Sequence, residues 1–400
     1  MDPHIQTPID PRVVEQKIQE SGLEQIGQAS IREIVKLVNE IEKATGERYI
    51  RMEMGVPGLK PPAEAIEGEI EALHAGVASK YPMIEGVAEL KQEISRFVKN
   101  FVNIQVDPSG CLPTVGSMQG AFASFLVSCR RDPQKDTTLF IDPGFPVQKQ
   151  QHKVLGLKYE TFDVYNYRGD RLGDKLESYL KHRNLSTLLY TKRNNPSWIC
   201  FTEKELQIIG ELATKYDVVV MEDLAYFGMD FRQDISRPGE PPYQPTVAHY
   251  TDNYILLISS SKSFSLAGER VGMMVIADKL FERRFPKLAE YYPAEGFGYS
   301  MVYGALYTLS SGTNHSAQYG LVKILQAVNE GKHNFVEDVR EYGERARMMK
   351  DLLQKHGFTL VYDRDEDQPL ADGFYFTFAF PGMDGKELLE ELIYYGISAI

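Results

Sequence analysis

The sequence predicts an α/β protein, with a large domain built on a mainly parallel sheet flanked by helices and a smaller α+β domain beside it. Three observations lead there. Between about residues 115 and 290, short β-like runs alternate with longer stretches of helical periodicity, the pattern of repeated strand–helix–strand units. Several of the runs are apolar almost without interruption, as expected of strands buried on both faces. After about residue 300 the alternation gives way to long helical stretches, two strand-like runs and a last helix.

Taken in order, residues 1–30 read as a polar N-terminal extension with one helical stretch. From Ser30, a candidate N-cap, the apolar residues Ile31, Ile34, Val35, Val38 and Ile41 recur at helical spacing. The Gly/Pro-rich segment MGVPGLKPP then forms a loop. The expected strands are TLFIDP (138–143), STLLYTK (186–192), DVVVMED (217–223), YILLISS (254–260) and GMMVIAD (272–278). Among the helices between them, residues 202–216 open with Thr202 and Glu205 in a capping-box pattern. A long helical region spans 300–330 and a helix spans 335–357. The runs TLVYD and GFYFTFAF and the helix DGKELLEELIYYG complete the chain. The expected division is an extension (1–30), a segment contributing to the small domain (31–80), the large domain (81–300), an interdomain helical region (301–334) and the C-terminal part of the small domain (335–400), which reads as incomplete at its end. No internal repeat or low-complexity tract interrupts this order.

Composition narrows the function. Apolar residues make up 43% and charged residues 25% of the 400, an ordinary globular balance with ample material for two cores. A net charge of −12 argues against a nucleic-acid binder, which needs a basic face. Three cysteines without a CxxC spacing fit a reducing, cytoplasmic compartment, and the eight histidines show no metal-binding spacing. The N-terminus has no apolar signal core, and no apolar run approaches membrane-spanning length.

Five segments carry candidate chemistry. SSSKSFSLAGERVG (259–272) follows an apolar strand and sets Lys262 among small residues, eight positions before Arg270. A crowded, partly desolvated lysine loses basicity and frees its amine, and Ser259, Ser261 and Arg270 suit a phosphate. MEDLAYFG (221–228) places Asp223 and Tyr226 at the carboxyl end of a strand, where ligands bind in parallel sheets; a capping aspartate and a packed tyrosine would look the same. KRNNPSW (192–198) puts Asn195 after another strand, also an ordinary turn signal. TVGSMQGAF (114–122) reads as a loop entering a helix at Gly116, Ser117, Met118 and Gln119, and a helix N-terminus attracts anions. In FIDPGFP (140–146), Phe145 offers a flat apolar face or a simple core residue.

Occurring together and in this order, these segments resemble the class I/II aminotransferases, the fold-type I enzymes dependent on pyridoxal 5′-phosphate (PLP). The family's lysine motif is matched by Ser259, Ser261, Lys262, Ser265, Leu266, Gly268, Arg270, Val271 and Gly272. Asp223 and Tyr226 look like its cofactor aspartate and tyrosine, Asn195-Pro196 like its Asn-Pro motif, Gly116–Gln119 like its phosphate loop and Phe145 like its ring-stacking aromatic. Asn195 and Asp223 stand 28 residues apart, and Lys262 follows 39 later. Upstream, SIREIVKLV, the Gly55 loop and YPMIEGVAELK (81–91) resemble N-terminal segments of the family, so the resemblance covers roughly residues 30–400. The chain departs from the pattern at Ser260, more polar than usual, and after Asn195-Pro196, where Ser197-Trp198 replaces a common Thr-Gly. The family's arginine for the substrate α-carboxylate is expected beyond Ile400.

The resemblance implies transfer of an amino group between an amino acid and a 2-oxo acid through a Lys262 Schiff base with PLP. Residues 81–300 would bind the cofactor. Lys262 would move the substrate proton and Asp223 would pair with the pyridine nitrogen. Tyr226 and Asn195 would bind the ring hydroxyl, Ser117, Met118, Ser259, Ser261 and Arg270 the phosphate, and Phe145 the ring face. Tyr81 would reach a neighbouring subunit's phosphate, making a homodimer with shared sites, and the Gly55 loop with Asn195 would meet substrate. Another PLP reaction on the same fold, such as a β-lyase or decarboxylase, and a non-catalytic ligand sensor remain alternatives. A nicotinamide-dependent oxidoreductase would need a GxGxxG run, and TVGSMQG lacks that spacing. The identity of the amino acid is not readable from the sequence.

Overall fold

The computed structural model describes residues 7–400, so the first six residues of the expected extension lie outside the described part. The chain divides into two compact units. The larger comprises Pro57–Arg347 and Tyr362–Phe376; the smaller comprises the N-terminal stretch ending at Val56, Met348–Val361 and Thr377–Ile400.

The larger unit is built on a seven-stranded sheet. Its strands are β1 (Cys111–Thr114), β2 (Thr137–Asp142), β3 (Lys158–Asp163), β4 (Leu185–Thr191), β5 (Val219–Leu224), β6 (Tyr254–Ser259) and β7 (Gly272–Ile276), in spatial order β1-β7-β6-β5-β4-β2-β3. All neighbouring pairs are parallel except the two that β7 makes, which are antiparallel. Every residue of β4, β5 and β6 is buried, as their continuous apolar runs require of strands covered on both faces. Edge strand β3, KYETFD, buries only Phe162 and keeps its polar residues outward.

Helices with clear start signals connect the strands. Helix α1 (Gly116–Ser128) follows β1, α2 (Pro146–Leu155) follows β2 and α3 (Glu203–Tyr216) follows β4. At α3 the Thr202–Glu205 capping box forms in both directions, satisfying two otherwise unpaired backbone donors. The expected long helix over 300–330 is interrupted. A π-helical stretch (Ser300–Leu306) and one turn (Tyr307–Ser310) end at Ser311 and Gly312, both at positive φ, and Asn314 caps a new helix, His315–Asn329.

In the smaller unit the helix Ile31–Thr45 starts at Ser30 with a full capping box and presents Ile34, Leu37, Val38 and Ile41 to the core. Those side chains pack with Ile9, Val14, Tyr49 and Ile393. The helix Pro11–Ser21 supplies Val14, so part of the N-terminal stretch is core rather than a polar appendage. Two short ladders complete this unit: Ile50–Arg51 parallel to Ile397–Ser398, and Thr359–Leu360 antiparallel to Phe378–Ala379.

The division falls elsewhere than the sequence suggests. Residues 57–80 join the larger unit because Gly68, on the helix Ala63–His74, lies against Lys323 and Tyr319 too closely for any side chain. Residues 362–376 join it because of a buried ion cluster: Asp365 meets Arg168 at 3.2 Å and Arg232 at 3.2 Å, and Arg168 pairs with Glu205 at 2.8 Å.

Candidate active site

Strand register brings distant segments to one end of the sheet. Because β7 is antiparallel, its first residue, Gly272, stands level with the last residues of its neighbours, Ser259 of β6 and Thr114 of β1. The loop into α1, the turn after β6 and the Arg270 segment therefore converge. Gly116 adopts φ +65°, and a Cβ there would lie 2.7 Å from Nη2 of Arg270, so the guanidinium sits against the start of α1. A Cβ on Gly272 would lie 3.0 Å from the backbone nitrogen of Ser117, so the two chains approach as closely as glycine allows. The first N–H groups of α1, including those of Ser117 and Met118, lack intrahelical acceptors, which gives this corner an anion-binding character. Ser259 Oγ accepts the Ser261 N–H at 3.2 Å and starts the turn Ser260–Ser263.

Lys262 lies in that turn. It is pinned on either side: Ser260 Oγ donates to the Val271 carbonyl and Ser263 Oγ to the Phe227 carbonyl at 2.8 Å. Burial, and then the nearby Arg270 charge, push the Lys262 ammonium down to about 8. At neutral pH roughly a tenth of such amines are uncharged, against well under a thousandth for an ordinary lysine. Its Nζ lies 5.5 Å from the centre of the Phe374 ring.

On the neighbouring strand, Asp223 pairs in register with Leu257 of β6 and Thr191 of β4. It is 5% exposed. Its carboxylate accepts hydrogen bonds from Gln148 Nε2 at 2.9 Å and from the Ala225 N–H at 3.1 Å. Neither donor is a cation, and burial raises the carboxyl to about 6 despite them. Tyr226 is also buried, the Tyr375 ring stands perpendicular to its own with centres 5.6 Å apart, and burial lifts its pKa well above the usual range. Phe145 is half-buried at the cap of α2, and one turn on, α2 delivers Gln148 to Asp223.

Tyr81 is 94% exposed, on a loop near the 310–316 turn, where His315 Nδ1 meets the Lys80 carbonyl at 3.0 Å. Gly55 belongs to the smaller unit. The sequence reading missed Gln148, Phe374 and Tyr375. Gln148 was signalled only by its place three residues after Phe145, in the first turn of a helix. Phe374 and Tyr375 follow Gly373, where a Cβ would lie 2.1 Å from the Trp198 indole.

Comparison with known proteins decides the family. The model of aminotransferase class I and II matches residues 48–365. The chain belongs to this family. Curated relatives include a probable aspartate aminotransferase of Methanocaldococcus jannaschii, 24% identical over 93% of this chain and 88% of its own length. An LL-diaminopimelate aminotransferase of Natranaerobius thermophilus is 23% identical over 81% and 76%. In fold, the aminotransferase chain resembles a double mutant of Thermus thermophilus aspartate aminotransferase, with TM-score 0.74, 18% identity and coverage of 96% and 90%. It likewise resembles the Thermotoga maritima aspartate aminotransferase, with TM-score 0.72, 20% identity and the same coverage.

Membership makes this a PLP-dependent aminotransferase of fold type I, acting on an amino acid and a 2-oxo acid. The residues at the sheet end fit that cofactor. The corner of Gly116, Ser117 and Arg270 matches a phosphate, and Asp223, a desolvated carboxylate without a cation among its hydrogen-bond donors, matches a protonated ring nitrogen.

Proposed function

We propose that Lys262 is the lysine to which PLP attaches and the group that carries the proton in amino transfer. The observation behind this is the depressed Lys262 amine at the end of β6, one strand away from the desolvated Asp223 carboxylate and next to the Gly116–Arg270 anion corner. Bound PLP supplies the electron sink. Asp223, ionised by the positive ring nitrogen, keeps a proton on it. The Ser117 and Met118 N–H groups and the side chains of Ser117, Ser259, Ser261 and Arg270 hold the phosphate, Arg270 through a two-pronged bond. Phe145 packs on the ring face. Tyr226 and Asn195 donate to the ring oxygen. The Lys262 amine, neutral in a useful fraction at physiological pH, takes the proton from the substrate Cα.

In the same proposal the active unit is a cytoplasmic homodimer, in which the exposed Tyr81 reaches a partner subunit's phosphate and the Gly55 loop meets substrate. Three free, buried cysteines agree with a reducing compartment. No helix among the described residues is long and apolar enough to cross a membrane.

The test is the visible absorption spectrum of protein incubated with PLP, for the parent and Lys262→Ala, before and after a panel of amino acids. The expected result is a lysine–cofactor band in the parent alone, bleached by those amino acids whose nitrogen is then recovered on a 2-oxo acid. A band that persists unchanged in Lys262→Ala refutes the assignment of the lysine.

A further inference from the structure

Helix α2 reaches the cofactor end of the sheet through two side chains one turn apart. Gln148 Nε2 donates to Asp223 Oδ2 at 2.9 Å, and Gln151 Nε2 donates to the Met118 carbonyl at 3.1 Å. His152 ties the same helix to β2: its Nε2 meets Thr138 Oγ1 at 2.8 Å and its Nδ1 the Gln148 carbonyl at 3.3 Å. Gln148 is 2% exposed, so water does not compete for its amide. Only the donor end of that amide is used. Gln148 Oε1 is buried without a hydrogen-bond partner among the described residues. An orphan acceptor in the interior costs free energy, and few native side chains carry one. Turning the amide over would set this oxygen against Asp223 Oδ2, acceptor against acceptor, which an ionised carboxylate does not tolerate. The orphan is therefore the consequence of aiming the N–H at Asp223. The Ala225 N–H donates to the other oxygen, Oδ1, at 3.1 Å. One donor on each oxygen fixes the plane of the carboxylate and leaves each oxygen a further lone pair. Both donors are neutral, so the negative charge stays available to a ligand.

We propose that Gln148 is a positioning residue that keeps the proton shared by Asp223 and the cofactor on the ring nitrogen. This rests on the reading of Asp223 as the partner of that nitrogen. A proton held between a carboxylate and a pyridine nitrogen settles on the more basic atom. The Gln148 N–H makes the carboxylate less basic without cancelling its charge. A lysine or arginine in its place would take the charge for itself. An apolar residue would leave the carboxylate more basic and free to turn about its Cβ–Cγ bond. Gln148 acts through Asp223 and need not touch the cofactor.

Gln148→Met keeps the volume and the helix preference and removes the amide together with its orphan oxygen, so the fold is expected to hold. Gln148→Leu is a second apolar variant, read in the same way. The full-length enzyme is loaded with PLP carrying a nitrogen-15 label in the ring. The NMR shift of that nitrogen is recorded at neutral pH in the parent, Gln148→Met, Asp223→Asn and the double variant. Loss of one hydrogen bond to a charged group is expected to move the proton about tenfold toward the carboxylate, so the Gln148→Met signal moves from the protonated toward the neutral pyridine value. Asp223→Asn is expected to give the neutral value, and the double variant the same. A parent-like signal in Gln148→Met beside a neutral one in Asp223→Asn overturns the inference and leaves the reading of Asp223 standing. A double variant shifted beyond Asp223→Asn also overturns it, because Gln148 then acts on another group. A parent-like signal in Asp223→Asn overturns the reading of Asp223 and this inference with it.

Discussion

Asp223→Asn should make the cofactor-free protein more stable and the cofactor-loaded protein weaker. In the fold, burial raises the Asp223 carboxyl from 3.8 to about 6. A raised carboxyl means that its charge is disfavoured in the folded state. The destabilisation is absent below the unfolded pKa, grows as pH rises through the interval, and is complete above about 6. Two units correspond to about 3 kcal/mol at neutral pH, an upper value because the buried site relaxes. The substitution removes the charge, and the new amide nitrogen can donate to Gln148 Oε1, which is buried and unpartnered in the described structure. For a chain of this length, about 3 kcal/mol moves Tm by roughly 3–4 °C. The assay is thermal unfolding, after the cofactor is stripped, at pH 8 and at pH 4. The variant should melt higher at pH 8, and the gap should shrink toward zero at pH 4. With PLP restored the order should reverse, because the ring nitrogen loses its counter-charge. A variant that melts no higher than the parent at pH 8 without cofactor refutes the claim that Asp223 sits in the fold as an uncompensated charge.

Other consequences are equally concrete. Arg270→Gln removes a charged donor from the Gly116 corner and should weaken PLP binding about 10- to 100-fold by equilibrium titration, with Arg270→Lys recovering part of it. Gly373→Ala places a Cβ where the indole already lies, 2.1 Å away. It should cost about 1–3 kcal/mol in denaturant unfolding and shift the emission of Trp198, the sole tryptophan. Asp365→Ala strips Arg168 and Arg232 of a shared buried partner and should destabilise by about 3 kcal/mol, read by the same unfolding curve.

What was legible in the sequence was what is written locally. The strands β4, β5 and β6 announce themselves as unbroken apolar runs, and the Thr202–Glu205 cap fixes the start of α3 to the residue. What was hidden depends on tertiary contacts. β1 contains Pro113, and β3 is polar along most of its length; each is a strand because a neighbour supplies its ladder. GFYFTFAF reads as one strand, yet only Phe378–Ala379 pairs as one, while the segment ending at Phe376 belongs to the larger unit through a carboxylate eight residues upstream of Gly373. The break at 311–314 was present as Ser-Gly-Thr-Asn, a turn signal outweighed in the reading by the helical pattern on either side.

Consecutive acids on β5 differ in how the fold provides for their charge. Glu222 and Asp223 are both buried and both raised by burial, and successive residues on a strand face opposite sides of the sheet. Glu222 draws on the protein itself: Thr246 Oγ1 and the Val247 N–H donate to its Oε2, its Oε1 is buried without a hydrogen-bond partner among the described residues, and the buried Lys192 supplies the opposing charge. Lys192 is itself pushed down to about 8 by the same burial, so the two relieve one another. Asp223 has two neutral donors and no cation among them. A pKa shift alone would not tell these carboxylates apart; the charge missing beside Asp223 does, and in the proposed function a protonated ring nitrogen is what supplies it.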